Sequence, residues 1–174
     1  MGECKILSMD LSLNLPCIVL LDITEDKKIK IIDTVYIDNK NKTKKTHSEK
    51  LAEIDGALFS FIKKHKLNNE DKLHIVRERG FSRFATETQA LFKVVGIVDL
   101  LVLNELGVKS IDEITPPSVK KLVTGDGKAS KMDVMDEVRT YLIKEQKNYK
   151  FYSDDVSDAV AVGIAHAIKK GLLV

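Results

Sequence analysis

CKILSMD, residues Cys4–Asp10, is the stretch on which the fold turns: a short run over Cys4–Met9, with Ile6 and Leu7, that stops on the carboxylate of Asp10. Short apolar runs bounded by polar turns read as strands. Two more follow at once, CIVLLDI at Cys17–Ile23 and IKIIDTVYI at Ile29–Ile37, both rich in β-branched residues. The links around Leu13-Asn14 and Thr24-Glu25-Asp26-Lys27 are tight, so the three strands are predicted to be antiparallel neighbours. The lysine- and asparagine-rich stretch from Asn39 to Lys45 is too polar to pack and is expected to be a loop or a mobile arm.

Beyond it the periodicity changes. Between Ser48 and Lys64 the apolar residues Leu51, Ile54, Leu58, Phe59 and Ile62 recur at the helical spacing. A fourth strand is predicted at Leu73–Arg77. An unusually apolar helix then spans Ala85–Leu106, with Gly107 placed to end it. A short fifth strand at Ser110–Ile114 leads to Pro116-Pro117, which opens a short helix through Leu122. Ser130 is positioned to cap a helix from Lys131 to Lys144, and a last helix is predicted from Asp155 to Lys170. Strands and helices in this order predict one α/β domain over residues 1–174, with no internal repeat.

Composition sets limits on function. The 174 residues carry 28 basic and 26 acidic side chains, a net charge of +2, so any nucleic-acid surface must come from local clustering of lysines. Cys4 and Cys17 have neither ligand-like spacing nor histidine neighbours, which argues against zinc and against a disulfide; both are expected to be reduced and inert. The chain shows no signal peptide and no apolar run of membrane-spanning length, so the expected location is the cytoplasm.

Four carboxylates stand in telling places. Asp10 ends the first strand and Glu78 the fourth, positions that hold a side chain rigidly yet near solvent. Asp155 and Asp158, three apart at the start of the last helix, project from one face of one turn. Asp154 shares that face. Acids in a first helical turn also meet the macrodipole favourably, which is the purely structural reading of the pair. If the first and fourth strands are adjacent, all four acids converge, and convergent carboxylates need a cation among them. Hard oxygen ligands suit magnesium or manganese, and a two-metal site is suited to phosphodiester hydrolysis.

With these residues in view, the chain resembles RuvC, the bacterial Holliday-junction resolvase family, and its small phage-encoded members. The carriers are Ile6–Ser12 with Asp10, Ile75–Phe81 with Glu78, Val119–Lys131 with its glycine turn, and DVSDAVA at Asp155–Ala161, followed by His166-Ala167. The resemblance spans nearly the whole chain. It implies an RNase H-like fold, a mixed five-stranded sheet flanked by helices. It also implies two Mg2+ ions per site (Mn2+ as a substitute) held by Asp10, Glu78, Asp155 and Asp158. The family register favours Asp155 as the ligand and leaves Asp154 as a capping or supporting residue. One departure is that Leu11–Pro16, just after the first Asp, lacks the family's glycines, so cleavage-sequence preference does not carry over. The same absence argues against actin-like ATPases and sugar kinases, whose phosphate loop needs glycine there.

By resemblance Lys120 and Lys131 match active-site lysines, Lys131 as a catalytic group, and Phe81 would wedge or stack at a junction centre. The competing reading of Phe81 is core packing. Arg79, Arg83, Lys121 and Lys128 are candidates for phosphate contacts, or else solvated charges. The run Lys40, Lys42, Lys44, Lys45 is either a basic arm or a solvated loop. His166, alone on an apolar helix, reads as a core group. The expected substrate is branched DNA, four-way junctions with forks and flaps as further candidates, cut by a homodimer joined through the apolar Ala85–Leu106 helix. The enzyme would act in a host cytoplasm if phage-encoded. The alternatives are an RNA-processing nuclease on the same fold and a non-catalytic DNA-binding module.

Overall fold

Strand β1 (Cys4–Asp10) takes the centre of the sheet because both its faces are covered, Ile6 and Ser8 on one side and Leu7 and Met9 on the other, all without exposed surface. The structure is a computed structural model that describes residues 4–40, 44–68, 72–80 and 84–173. Strand β2 (Cys17–Ile23) runs antiparallel to β1 from Asp10↔Cys17 to Cys4↔Ile23, and β3 (Ile29–Tyr36) continues antiparallel with a register shift at Leu20/Leu21. Strand β4 (Leu73–Glu78) pairs parallel with the other side of β1, and β5 (Asp112–Ile114) pairs parallel with β4. The order is therefore β3-β2-β1-β4-β5, the mixed five-stranded sheet expected from the sequence.

Parallel neighbours need crossovers. Helix α1 (His47–Lys64) returns the chain from β3 to β4, and α2 (Ala85–Leu106) returns it from β4 to β5; both pack on the Leu7/Met9 face. Helices α3 (Pro116–Thr124), α4 (Lys131–Tyr141) and α5 (Asp154–Lys169) cover the Ile6 face.

The structure shifts several boundaries. Helix α4 stops at Tyr141 rather than Lys144, because Leu142 leaves it to bridge Ile29 and the chain then makes a 3-10 turn at Lys144–Gln146. From that turn the Gln146 amide accepts from Ile31 N–H and donates to Ile31 C=O, both at 2.8 Å, and so covers part of the exposed edge of β3. Strand β5 is three residues long, and α3 extends to Thr124 before Gly125 turns left-handed. The described part of the stretch after β3, residues 37–40 and 44–46, is a loop as expected, yet not all of it is too polar to pack. Asn39 is fully buried, its N–H donated to Asn14 C=O, and Lys45 pairs with Glu53.

Helix α5 is the tightest element of its layer, buried from Val156 to Ala167 apart from Asp158. It approaches β1 closely through Gly163, where a Cβ atom would stand 2.4 Å from Leu21 Cδ1 and 3.1 Å from Ser8 Cβ. Gly163→Ala is expected to destabilise the fold by about 1–3 kcal/mol, the usual range for overpacking. A thermal melt of that variant equal to wild type would show that the helix can stand further off.

Candidate active site

Because β1 and β4 run parallel, their last residues, Asp10 and Glu78, lie at the same end of the sheet. Ser8 Oγ donates to the Ala159 carbonyl at 2.6 Å and pins the start of α5 over that end. The helix thereby sets Asp155 and Asp158 above Asp10, and one carboxylate oxygen from each of these three residues lies within 4.8 Å of the others. Glu78 lies outside that group of three but lines the same cleft, of about 270 Å³, with Lys120, Lys131, Pro116 and Val119. The structure thus brings together four of the predicted acids and two of the predicted lysines. Asp154 is exposed and outside the cluster; the N-cap position belongs to Ser153, not to Asp154.

The electrostatics are those of a site short of positive charge. Burial pushes the Asp10 carboxyl up to about 7, and the neighbouring Glu78, Asp158 and Asp155 push in the same direction against Lys131. Glu78 is also pushed up to about 7, by burial first and then by Asp158. Lys131 Nζ donates to Asp158 Oδ2 at 2.9 Å, an interaction that raises the lysine's own pKa. Lys120 Nζ donates to the Ala129 carbonyl at 2.7 Å, so the Gly125-Asp126-Gly127 turn positions one lysine and leads into the helix that carries the other. An all-oxygen donor set, half-buried and mutually repelling, fits hard divalent cations.

The remaining candidates are dispersed. Lys121 and Lys128 are exposed and do not line the cleft. Arg79 is exposed, 3.9 Å from Glu113, on an adjoining groove shared with Phe92, Thr115 and Pro117. Phe81, Arg83 and Lys42 lie outside the described residues. Lys40 and Lys44 are exposed. His166 is a buried core group: its Nε2 meets His74 Nδ1 at 3.0 Å, and burial together with His74 lowers its pKa to about 4.

Two features escaped the sequence. Arg77, 7% exposed, faces the α2 side of β4 and is clamped by Asp99 of α2 and by Glu113 of β5, the latter through Nε at 2.9 Å and a second nitrogen at 2.7 Å. It ties the strand that ends in Glu78 to two other elements. Its partners lie 22 and 36 residues away, beyond any local pattern. The second is Tyr36, whose strand position pairs with Cys17 and, through it, with Asp10; its ring meets that of Tyr152 edge-on.

Residues 19–166 match the family model described as crossover junction endodeoxyribonuclease RuvC. The RuvC of Aliarcobacter butzleri is 32% identical over 142 residues, 81% of this chain and 84% of that one. That of Brachyspira hyodysenteriae is 30% identical over 139 residues, covering 79% and 78%. Among solved structures, Thermus thermophilus RuvC in complex with a Holliday junction substrate superposes with a TM-score of 0.80 at 16% identity, covering 97% of this chain and 96% of that one. The yeast mitochondrial Holliday junction resolvase Ydc2 gives 0.65 at 14% identity, over 98% and 82%. At such low identity these superpositions establish the RNase H-like architecture and nothing more.

The raised carboxyl pKa values make a stability prediction. In the unfolded chain Asp10 ionises near its ordinary value of 3.8, in the fold near 7, so its contribution to stability is lost as pH rises between those two. Without divalent metal, Asp10→Asn should therefore be more stable than wild type at pH 8, by on the order of 2–4 kcal/mol, and nearly equal to it at pH 4. The comparison with wild type at each pH removes the opposing contribution of His166. Magnesium should reverse the order at pH 8. Chemical denaturation at the two pH values, with and without metal, measures this, and a wild type as stable as the variant in EDTA at pH 8 would refute it.

Proposed function

The chain belongs to the RuvC family of crossover junction endodeoxyribonucleases, and we propose that its carboxylate cleft hydrolyses phosphodiester bonds in branched DNA, four-way junctions above all. The observation that carries this reading is the convergence of Asp10, Asp155 and Asp158 within 4.8 Å at the end of the sheet, with Glu78 on the same cleft. In this reading Asp10, Glu78, Asp155 and Asp158 hold two divalent ions, magnesium by the hardness of the ligands and manganese as a substitute. The ions, when bound, supply activation of the attacking water and stabilisation of the leaving oxygen.

The chain's own groups do the rest. Asp10 and Glu78, fixed at strand ends, give the site its rigid floor, while Asp155 and Asp158 come from a helix pinned to that floor by Ser8. Lys131 balances Asp158 in the free protein and, with Lys120 on the same cleft, neutralises charge building on the phosphate in the transition state. Arg79, Arg83, Lys121 and Lys128 are assigned to the DNA backbone around the cleft, and Phe81 to the junction centre. Residues 1–174 act as one nuclease domain, since both helical layers share one sheet and α5 meets every strand of it. Among the described residues no helix is long and apolar enough to cross a membrane. Action on DNA puts the enzyme in the cytoplasm, a host's if a phage encodes it.

Cutting both strands of a two-fold junction requires two sites, and α2 offers a surface for pairing. Phe92, Leu100 and Leu103 are 63%, 58% and 44% exposed on one side of that helix. Leu100→Asp with Leu103→Asp is expected to convert a dimer to a monomer in sedimentation at micromolar concentration. The same change should leave nicked rather than fully resolved junctions. A wild type that sediments as a monomer with and without junction DNA would remove this part of the proposal.

Asp158→Asn and Glu78→Gln each keep the side chain's shape while removing a ligand. Both are expected to lose cleavage of a four-way junction in magnesium by several orders of magnitude while retaining junction binding in a gel-shift assay. Linear duplex and an RNA four-way junction serve as controls. Near-normal cutting by either variant, or preference for the RNA, would overturn the reading.

A further inference from the structure

The surroundings of the cleft are unlike. Lys120 and Lys131, from α3 and α4, line it and are suited to phosphate. On the β3 side the cross-strand row Asp10, Cys17, Tyr36 leads away from the carboxylates to an aromatic pair, Tyr36 and Tyr152, whose ring centroids are 5.9 Å apart at an interplanar angle of 69°. We infer that this pair is a nucleotide subsite, in which the ring of Tyr152 stacks on an unpaired base next to the phosphate to be cut.

Tyr152 is 57% exposed, yet its hydroxyl is tied to Thr34 Oγ1 at 2.7 Å. A surface tyrosine usually buries its ring and gives its hydroxyl to water. Here the hydroxyl is held by protein while the residue stays more than half exposed. Its loop neighbours do the opposite: Tyr149 and Phe151 pair with each other at 5.1 Å and pack against the core, so the loop does not need a third aromatic for packing. The ledge is also joined to the metal-binding residues. Ser153, the neighbour of Tyr152, donates from Oγ to Asp155 Oδ2 at 3.3 Å.

Charge decides which part of a nucleotide fits. Burial and then the nearby Asp155 and Asp38 carboxylates raise the pKa of Tyr36, and such carboxylates make an unfavourable setting for a phosphate. A base carries no charge, and every base has a face that can stack on an aromatic ring. A strand held with its phosphate toward Lys120 and Lys131 therefore turns its base toward Tyr152. Unpaired bases exist at a branch point and not in intact duplex, so the subsite would favour junctions over linear DNA.

The inference rests on the nuclease reading above, and its test keeps the two apart. The chain contains no tryptophan, so Tyr152→Trp introduces a single one. In a Glu78→Gln background, that tryptophan's fluorescence should be quenched as four-way junction DNA is added in magnesium, and much less by linear duplex. In the active enzyme, Tyr152→Leu should raise the junction KM by about tenfold with kcat held within about twofold, whereas Tyr152→Phe, which keeps the ring, should stay near wild type in both. If wild type cuts junctions but the tryptophan is not quenched, the subsite is wrong and the nuclease reading stands. If Tyr152→Leu lowers kcat and leaves KM alone, Tyr152 only supports Asp155 and the subsite is again wrong. A wild type that does not cut junctions overturns both.

Discussion

The close contact between α5 and β1 governs the rest of the molecule. Ser8 reaches the Ala159 carbonyl and Gly163 leaves no room for a side chain against Leu21, so the helix lies almost on the backbone of the central strand. That proximity is what lets two carboxylates from a helix meet one from a strand end. It explains why the sheet-facing side of α5 is built from Ala159, Gly163 and Ala167 rather than from larger apolar residues. Large side chains would add buried area but would lift Asp155 and Asp158 away from Asp10.

The same closeness has an electrostatic consequence. Bringing four acids to one partly buried cleft raises two of them to about 7, which shows how poorly the fold tolerates their full ionisation alone. Lys131 offsets part of this through Asp158. The protein accepts reduced stability at its carboxylates in return for a cluster of oxygen donors that could hold a metal ion, the common relation between strained sites and function.

The elements around the cleft divide the work by chemistry. Helices α3 and α4 and the glycine turn between them bring cations, β3 and the loop before α5 bring aromatic rings, and α2 carries an apolar strip away from the cleft altogether. Arg77 holds this division in place on the other face of the sheet. By clamping Asp99 and Glu113 it fixes β4 against both α2 and β5, so that Glu78 at its end is held from two sides. A buried ion pair of this kind is weak evidence for stability and better evidence for a fixed geometry.

Much of this was written in local sequence. The apolar runs of Cys4–Asp10 and Cys17–Ile23 and the helical period of Ala85–Leu106 marked two strands and a helix nearly to the residue, because a strand covered on both faces is apolar throughout and a helix buried on one face repeats at its turn. Asp10, Glu78, Asp155 and Asp158 could be picked out because element ends are local features too. What the sequence could not supply were the pairs that depend on which elements become neighbours. Arg77 looked like one more strand residue until Asp99 and Glu113 arrived from α2 and β5, and Tyr152 gained its partner in Thr34, 118 residues earlier. Helical spacing alone left Asp154 and Asp155 on a par and only the family register favoured Asp155; both lie in the first turn of α5, and the position of β1 determines which carboxylate faces Asp10. Periodicity reports how a segment meets the core, whereas contacts between distant segments exist only after the sheet order and the helix approach are fixed.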